Sequence, residues 1–352
     1  MPILTTVIGA YPKPDYVPTP DWFRLKASAK GHSNRPTAAY DEFMKNKPSN
    51  LEDIHDRATM EIVKEQVDAG IDVPTDGEIR RENYIYYHCR HVNGFDFEHL
   101  TEKVMRCGSW TAEVPCIMRK VSGGQPFLVR DYQIAQSATK APLKITIPGP
   151  LTITDSTADL FYNDEKKLGA DLADAINQEV MALVAAGCRE IQIDEPLFAR
   201  MPEKAKAFAI ENLDRCFRNV PKHVNCSTHI CCGYPDRVDN ENYAKADRNV
   251  YFELAPYLEK TRIDCISLED AHRHNDLKLL ESFPTKKIIL GVIAIARTRL
   301  EPVDEIKSRL SAALQHIDAE RLIAGPDCGL GMLPRALARE KLQHMCLAAH
   351  AL

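Results

Sequence analysis

Eight short apolar stretches recur along this chain, each separated from the next by residues in a helical pattern, and that alternation limits the fold more than any other feature. The stretches are 5–8, 71–76, 143–147, 190–194, 222–226, 264–268, 287–292 and 321–324. Each is β-branched or aliphatic and partly apolar on both faces, as buried parallel strands are. Between them, apolar residues repeat at helical spacing over 54–69, 163–187, 203–218, 243–260, 275–281, 303–316 and 333–350. Asn163 is the expected N-cap of the second of these helices, and Gly187 its end. Helix, glycine and apolar strand follow one another at Ala69-Gly70-Ile71 and again at Ala186-Gly187-Cys188. Eight repeats favour an α/β fold of the closed (β/α)8 TIM-barrel type over an open doubly wound sheet, which stays as the alternative.

Two regions break the alternation. Residues 11–50 are rich in Pro, Lys and Asn, and residues 83–142 carry Tyr84, Tyr86, Tyr87, Phe95, Phe97, Trp110 and Gly123-Gly124. They read as insertions after strands 1 and 2, the second containing a hairpin. A barrel of this kind takes roughly 250 residues and tolerates insertions, so the 352 residues are read as one domain, 1–352.

Charge and cysteine content narrow the function classes. The formal net charge is −5, with no run of Lys and Arg long enough to make a basic stripe. Nucleic acid is not an expected partner, because such affinity rests on phosphate neutralisation. Nor is a membrane, since no apolar stretch approaches the roughly 20 residues needed to span one. The start, Met1-Pro2-Ile3-Leu4, has no secretion-signal pattern. Eleven cysteines, an odd number spread over a long chain, do not make a disulfide framework. A cytoplasmic location is therefore expected, with most cysteines serving as small core residues.

In barrels of this class the active site lies at the carboxyl ends of the strands. Those ends carry Gly9-Ala10, Asp76-Gly77-Glu78, Gly149-Pro150, Asp194-Glu195-Pro196, His229 to Gly233, Glu269-Asp270 and Pro326-Asp327-Cys328. His229, Cys231, Glu269 and Cys328 form a candidate zinc set, since zinc takes imidazole, thiolate and carboxylate ligands, usually four. His229 and Cys231 are two apart, so in an extended segment they point the same way. Each residue alone has an ordinary explanation: a core His beside a small Cys, a packed Cys, a Glu in a salt bridge. The case rests on all four gathering on one rim.

The donor types bear on the chemistry. Two thiolates and a carboxylate overcompensate the charge of a zinc ion, which makes it a weak activator of water and a good holder of a further thiolate. The carboxylate is the weakest ligand to a soft metal, so Glu269 is the one expected to yield to an incoming sulfur.

At these residues the sequence resembles the catalytic domain of cobalamin-independent methionine synthase. The matching stretches are Asp76-Gly77-Glu78, Pro148-Gly149-Pro150-Leu151-Thr152-Ile153, Ile191-Gln192-Ile193-Asp194-Glu195-Pro196, His229-Ile230-Cys231, Ile266-Ser267-Leu268-Glu269 and Pro326-Asp327-Cys328-Gly329-Leu330. The resemblance implies methyl transfer to the thiol of homocysteine, with Zn2+ held by His229, Cys231, Glu269 and Cys328. It implies a substrate pocket of Ile8, Gly9, Ala10, Glu78 and Asp194, with Glu269 and Asp194 as catalytic residues. A carboxylate in that pocket can pair with an ammonium group, while a plain rim salt bridge to Arg80 or Lys144 is the competing explanation of Glu78 and Asp194. The resemblance further implies a free-standing, core-type form without a second, N-terminal barrel.

The sequence departs from the folate-using pattern of that family. Positions expected to hold an Asp and a His for proton transfer are Ala294 and Ala296. An expected Trp is missing after Ile153, where the chain continues Thr154-Asp155-Ser156. A small polar residue is replaced by Ala10, and an acid near Arg200 is absent. Without a general acid a tertiary amine leaves poorly, typically by ~10²–10⁴ in rate. A non-folate donor is therefore expected, with a methylated corrinoid or corrinoid protein as first choice. The alternatives are a thiol alkyltransferase of the epoxyalkane–coenzyme M type, a zinc hydrolase using Glu195 as base, and a barrel with a structural zinc. Outside the site, Cys226 and Cys265 are expected in the core and Cys232 beside the ligands. Cys89, Cys107 and Cys116 are a remote candidate for a second metal site, and His272 and His274 are read chiefly as exposed.

Overall fold

The computed structural model describes residues 2–23, 35–105, 108, 110–235, 237–240 and 242–352. Ten strands appear in chain order: β1 (Leu4–Thr5), β2 (Asn93–Met105), β3 (Trp110–Ser122), β4 (Lys144–Pro148), β5 (Ala158–Asp159), β6 (Glu190–Asp194), β7 (Asn225–Ile230), β8 (Cys265–Leu268), β9 (Lys287–Ile293) and β10 (Leu322–Pro326). Seven of them form one curled parallel sheet in the order β1-β10-β9-β8-β7-β6-β4. Every pairing in it is parallel, and strands β4, β6, β8 and β10 are buried along almost their whole length.

The stretch 71–76, expected as the second strand, meets both edges of this sheet through single bridges. Thr6 pairs with Val73 and Thr75 with Lys144, both parallel. Local chemistry explains why no continuous ladder forms there. Pro74 has no N–H to give, although its carbonyl accepts from Lys144 N at 2.8 Å. The backbone N–H and carbonyl of Thr75 are both taken by the Gln66 side chain, at 2.9 and 3.0 Å. The fifth expected strand is also displaced. It runs over Asn225–Ile230 rather than 222–226, which puts His229 inside the strand. Lys222 and His223 precede it, exposed, in the turn after Pro221.

Helices pack outside the sheet. Leu51–Asp68 and Glu165–Ala185 bury one face each, and Arg335–His350 covers the start of the chain. The N-cap of Glu165–Ala185 is Asp164, whose carboxylate accepts from Lys166 N and Lys167 N, and not Asn163. Asn163 instead takes a left-handed turn with φ 49°. The helix expected over 203–218 is three consecutive pieces, Pro202–Lys204, a wide turn at Ala205–Ala209, and Ile210–Cys216.

The insertion between 83 and 142 contains the expected hairpin. β2 and β3 pair antiparallel, and β5 joins β3 in parallel to complete a three-stranded sheet. Met105, Ala112, Val114, Cys116 and Ala158 make a small apolar cluster beneath it. Most other buried apolar residues form one main core, from Ile3 to Ala349, and Ile8, Cys265, Ile289 and Ile323 form a further small cluster. No helix among the described residues is long and apolar enough to cross a membrane.

Candidate active site

β7 ends with His229-Ile230, and the chain continues in extended form to Cys231, so His229 and Cys231 face the same side of the sheet. Cys328 arrives from the loop after β10. The ligand-type atoms of His229, Cys231 and Cys328 all lie within 4.8 Å of one another, the one such group among the described residues. The three side chains share protons unequally. A hydrogen bond from Cys328, together with the nearby His229 imidazole, holds the Cys231 thiol well below the usual thiol range. The partner thiol of Cys328 is raised, first by that same hydrogen bond and then by burial.

The imidazole of His229 is fixed from behind. Its Nδ1 lies 2.9 Å from Ser267 Oγ on the neighbouring strand β8. Its Nε2 is buried and has no hydrogen-bond partner. A buried nitrogen without a partner costs free energy unless something fills its lone pair. Here that nitrogen shares a cluster with two sulfurs, which is a donor set suited to zinc.

Glu269 stands beside this trio and is not part of it. Its carboxylate Oε2 accepts from Cys232 N at 3.0 Å, and its backbone N–H meets Tyr251 OH at 3.2 Å. Burial, followed by the charges of Cys231 and Asp327, pushes its carboxyl well above the usual range. Cys232 therefore sits next to the cluster, as expected, and acts on Glu269 through its backbone.

A pocket opens over the cluster. Ile8, Gly9, Ala10, Glu78 and Asp194, the residues expected to hold substrate, all line it together with His229, Cys231 and Cys328. Glu78 sits in a left-handed backbone conformation, φ 57°, and its N–H is held by Asp76 Oδ1 at 3.1 Å. Its carboxylate accepts from Thr146 Oγ1 at 2.8 Å and lies 3.4 Å from Arg81 Nη1. A Cβ on residue 9 would come within 2.7 Å of Glu78 Oε1, so only glycine lets the carboxylate approach the backbone there. Asp194, at the end of β6, accepts from Gln192 Nε2 at 2.7 Å. Burial raises Glu78 and pushes Asp194 up to about 7.

The salt-bridge explanation of these acids takes a different form from the one expected. Arg80 faces away, toward Glu52, Asp56 and Asp131. Arg81 is the cation beside these acids, 3.4 Å from Glu78 and 3.5 Å from Asp76, and its Nη1 donates to the Thr146 carbonyl at 2.9 Å. Lys144 Nζ is buried with no hydrogen-bond partner. Behind the pocket, Glu195 caps the short helix Pro150–Ser156 by accepting from Leu151 N, Thr152 N and Thr152 Oγ1 at 2.9, 3.1 and 2.8 Å.

Other lining residues carried no signal in the sequence. Trp22 and Phe23 reach the pocket from the first insertion, Tyr84 from the second, and Tyr234 from the loop after β7. Trp22 stacks on Tyr234 with centroids 5.7 Å apart and touches Phe23 at 4.7 Å. Asp155, in the stretch after Ile153 that lacks the expected Trp, and Arg200 also line the pocket. His272 was expected chiefly at an exposed position. It is buried, with Nδ1 2.7 Å from Asp327 and Nε2 accepting from Ala296 N at 3.2 Å. His274 is exposed. Cys226 and Cys265 are buried, as expected, and so are Cys89 and Cys116; Cys107 lies outside the described residues.

A sulfur- and imidazole-lined floor beneath a pocket with Glu78 and Asp194 in its wall defines the class of site, one whose donor set could hold a metal ion. Comparison with known proteins gives the family. The family profile described as "Cobalamin-independent synthase, Catalytic domain" matches residues 3–351, and the chain belongs to this family. It is 30% identical over 343 residues to a methionine synthase of Sulfolobus acidocaldarius, covering 97% of this chain and 89% of that one. A methionine synthase of Sulfurisphaera tokodaii is 31% identical over 348 residues, covering 98% and 91%. Among solved structures, a B12-independent methionine synthase from Shewanella sp. W3-18-1, in complex with selenomethionine, superposes with a TM-score of 0.87 at 28% identity, covering 100% of this chain and 98% of that one.

Proposed function

We propose that this chain is a zinc-dependent methyltransferase that moves a methyl group to the thiol of homocysteine, forming methionine. One observation carries the reading. His229 Nε2, buried and without a partner, faces a cluster with Cys231 and Cys328 on the floor of a pocket whose wall holds Glu78 and Asp194. A thiol that also bears an ammonium group suits both halves of that pocket. Its sulfur belongs near the cluster and its ammonium near the acids.

His229, Cys231 and Cys328 would hold the zinc, with Glu269 as the fourth ligand, ready to yield its place. Zinc bound there would favour loss of the substrate thiol's proton while leaving the sulfur electron-rich. The residues of the chain do the rest. Ser267 fixes the orientation of His229, so that Nε2 faces the cluster. Glu78 and Asp194 orient the amino acid, and the aromatic wall of Trp22, Phe23 and Tyr234 limits water at the mouth. We further read the bridges from Val73 and Thr75 to the two sheet edges as closure of an eight-stranded barrel, in a chain that forms one domain.

The methyl donor is proposed to be a methylated corrinoid, free or protein-bound, and not a folate. Ala294 and Ala296 are buried where a proton-transferring Asp and His would stand, and the Ala296 amide is engaged by His272. A sulfonate-bearing acceptor is disfavoured by the two acids in the pocket. The experiment gives zinc-loaded protein homocysteine with methylcobalamin or 5-methyl-folate in parallel and quantifies methionine by mass spectrometry. Methionine from methylcobalamin alone is expected. Methionine from the folate would overturn the donor assignment, and no methionine from either would overturn the acceptor or donor.

A further inference from the structure

Two polar atoms with complementary needs are buried inside the sheet, below the pocket. One is Lys144 Nζ on β4 and the other is Gln192 Oε1 on β6; neither has a hydrogen-bond partner. β4 and β6 are paired neighbours, with Lys144 opposite Glu190 and Thr146 opposite Gln192. The donor and the acceptor are thus two residues apart in register on adjacent strands, on the same face.

Both side chains point to the concave, pocket-facing side. Thr146 does so, because its hydroxyl reaches Glu78, and Lys144 is two residues earlier on the same strand. Gln192 does so, because its Nε2 donates to Asp194 Oδ1 at 2.7 Å and to the Ile8 carbonyl at 2.6 Å. Glu190, the acid opposite Lys144, does not hydrogen-bond to it; its Oε2 accepts from Asn225 Nδ2 at 2.7 Å. Lys144 is 2% exposed, and Ile8, Cys265, Ile289 and Ile323 form a small buried apolar cluster of their own.

We propose that Lys144 is a positioning residue for the amino-acid pocket: it holds Gln192 through Oε1 across one bridging water, and Gln192 in turn holds Asp194 in the orientation that receives the substrate's ammonium group. A buried cation needs such an outlet, because an uncompensated one is costly. Gln192 has two ends, an amide NH2 and a carbonyl. The NH2 is committed to Asp194 and Ile8, so its rotation is fixed once the carbonyl is held as well. Charge adds to geometry, since Lys144 also draws the Asp194 carboxyl down from the value that burial alone would impose. This inference rests on the reading of Glu78 and Asp194 as the ammonium pocket.

The test measures dissociation constants for homocysteine and for 4-sulfanylbutanoate, which keeps the thiol and carboxylate and lacks the amino group, on zinc-loaded protein. Wild type is expected to prefer homocysteine. Lys144→Met is expected to cut that preference by about tenfold, the size of one well-made hydrogen bond to a charged group. Gln192→Leu, which leaves Lys144 in place, is expected to do the same if the lysine variant folds poorly. A merely structural role would weaken both ligands equally, so equal losses, or an intact preference in both variants, would overturn the proposal. A wild type without any preference for homocysteine would instead sink the ammonium pocket, and the proposal with it.

Discussion

His229 and Ser267 sit on adjacent strands, paired residue for residue, and the serine hydroxyl lies 2.9 Å from Nδ1 of the imidazole. That contact decides which ring nitrogen is left for the cluster. Nδ1 is taken up by Ser267, and it is Nε2 that is buried without a partner.

Ser267→Ala is therefore expected to weaken zinc binding by about 10–100-fold, the usual cost of removing a partner behind a metal ligand. Competition against a chelator of known affinity measures it. Unchanged zinc affinity would show that Ser267 does not set the ring.

Cys231 and Cys328 belong to the cluster rather than to the core, and that makes a second expectation. Cys231→Ser and Cys328→Ser should each lose bound zinc and methyl transfer while unfolding at nearly the wild-type denaturant midpoint. A structural zinc would instead carry folding free energy, and its loss would shift the midpoint sharply. Metal analysis beside denaturation curves separates the two cases.

Much of this site was legible in the sequence, and the reason is topological. Residues at the ends of parallel strands converge on one rim, so placing His229, Cys231 and Cys328 there required only strand positions. The limits have physical causes as well. Lys222–Cys226 and Asn225–Ile230 are similar in β-propensity, and only pairing with β6 and β8 selects the second. Trp22, Phe23 and Tyr234 lie in irregular segments with no period to read. Burial of His272 depends on Asp327, 55 residues away. Ser267 and Gln192 stood within recognised stretches, but their roles are contacts between strands that spacing along the chain does not express.

Arg81 is a buried cation between Asp76 and Glu78, and it also donates to the carbonyl and hydroxyl of Thr146. Replacing it by Met would leave two acids without their shared counter-charge. Breaking a buried pair in this way costs about 3–5 kcal/mol. Urea denaturation of Arg81→Met should show a loss of that order together with weaker homocysteine binding. A variant as stable as wild type would mean that Arg81 does not supply the counter-charge for these acids.

Glu195 gives the protein a pH dependence whose sign follows from its burial. It is fully buried, and burial pushes its carboxyl up to about 8, although the hydrogen bonds from Leu151 N and from Thr152 pull the other way. In the unfolded chain a glutamate titrates near ~4.3. Between those two values the folded state binds more protons than the unfolded state, so stability falls as pH rises. The stabilisation is fully present below the unfolded value and is lost as pH climbs through the folded one. Asp194, pushed up to about 7 by burial, acts in the same direction. Denaturant unfolding of the wild type should therefore show less stability at pH 8 than at pH 6, with a slope of order 1 kcal/mol per pH unit from one such group. Glu195→Gln cannot titrate and should have a shallower slope, even though its amide presents a donor to Leu151 or Thr152 and lowers stability at every pH. Equal slopes in the two proteins would show that Glu195 is ionised throughout, held by its three donors against the cost of burial.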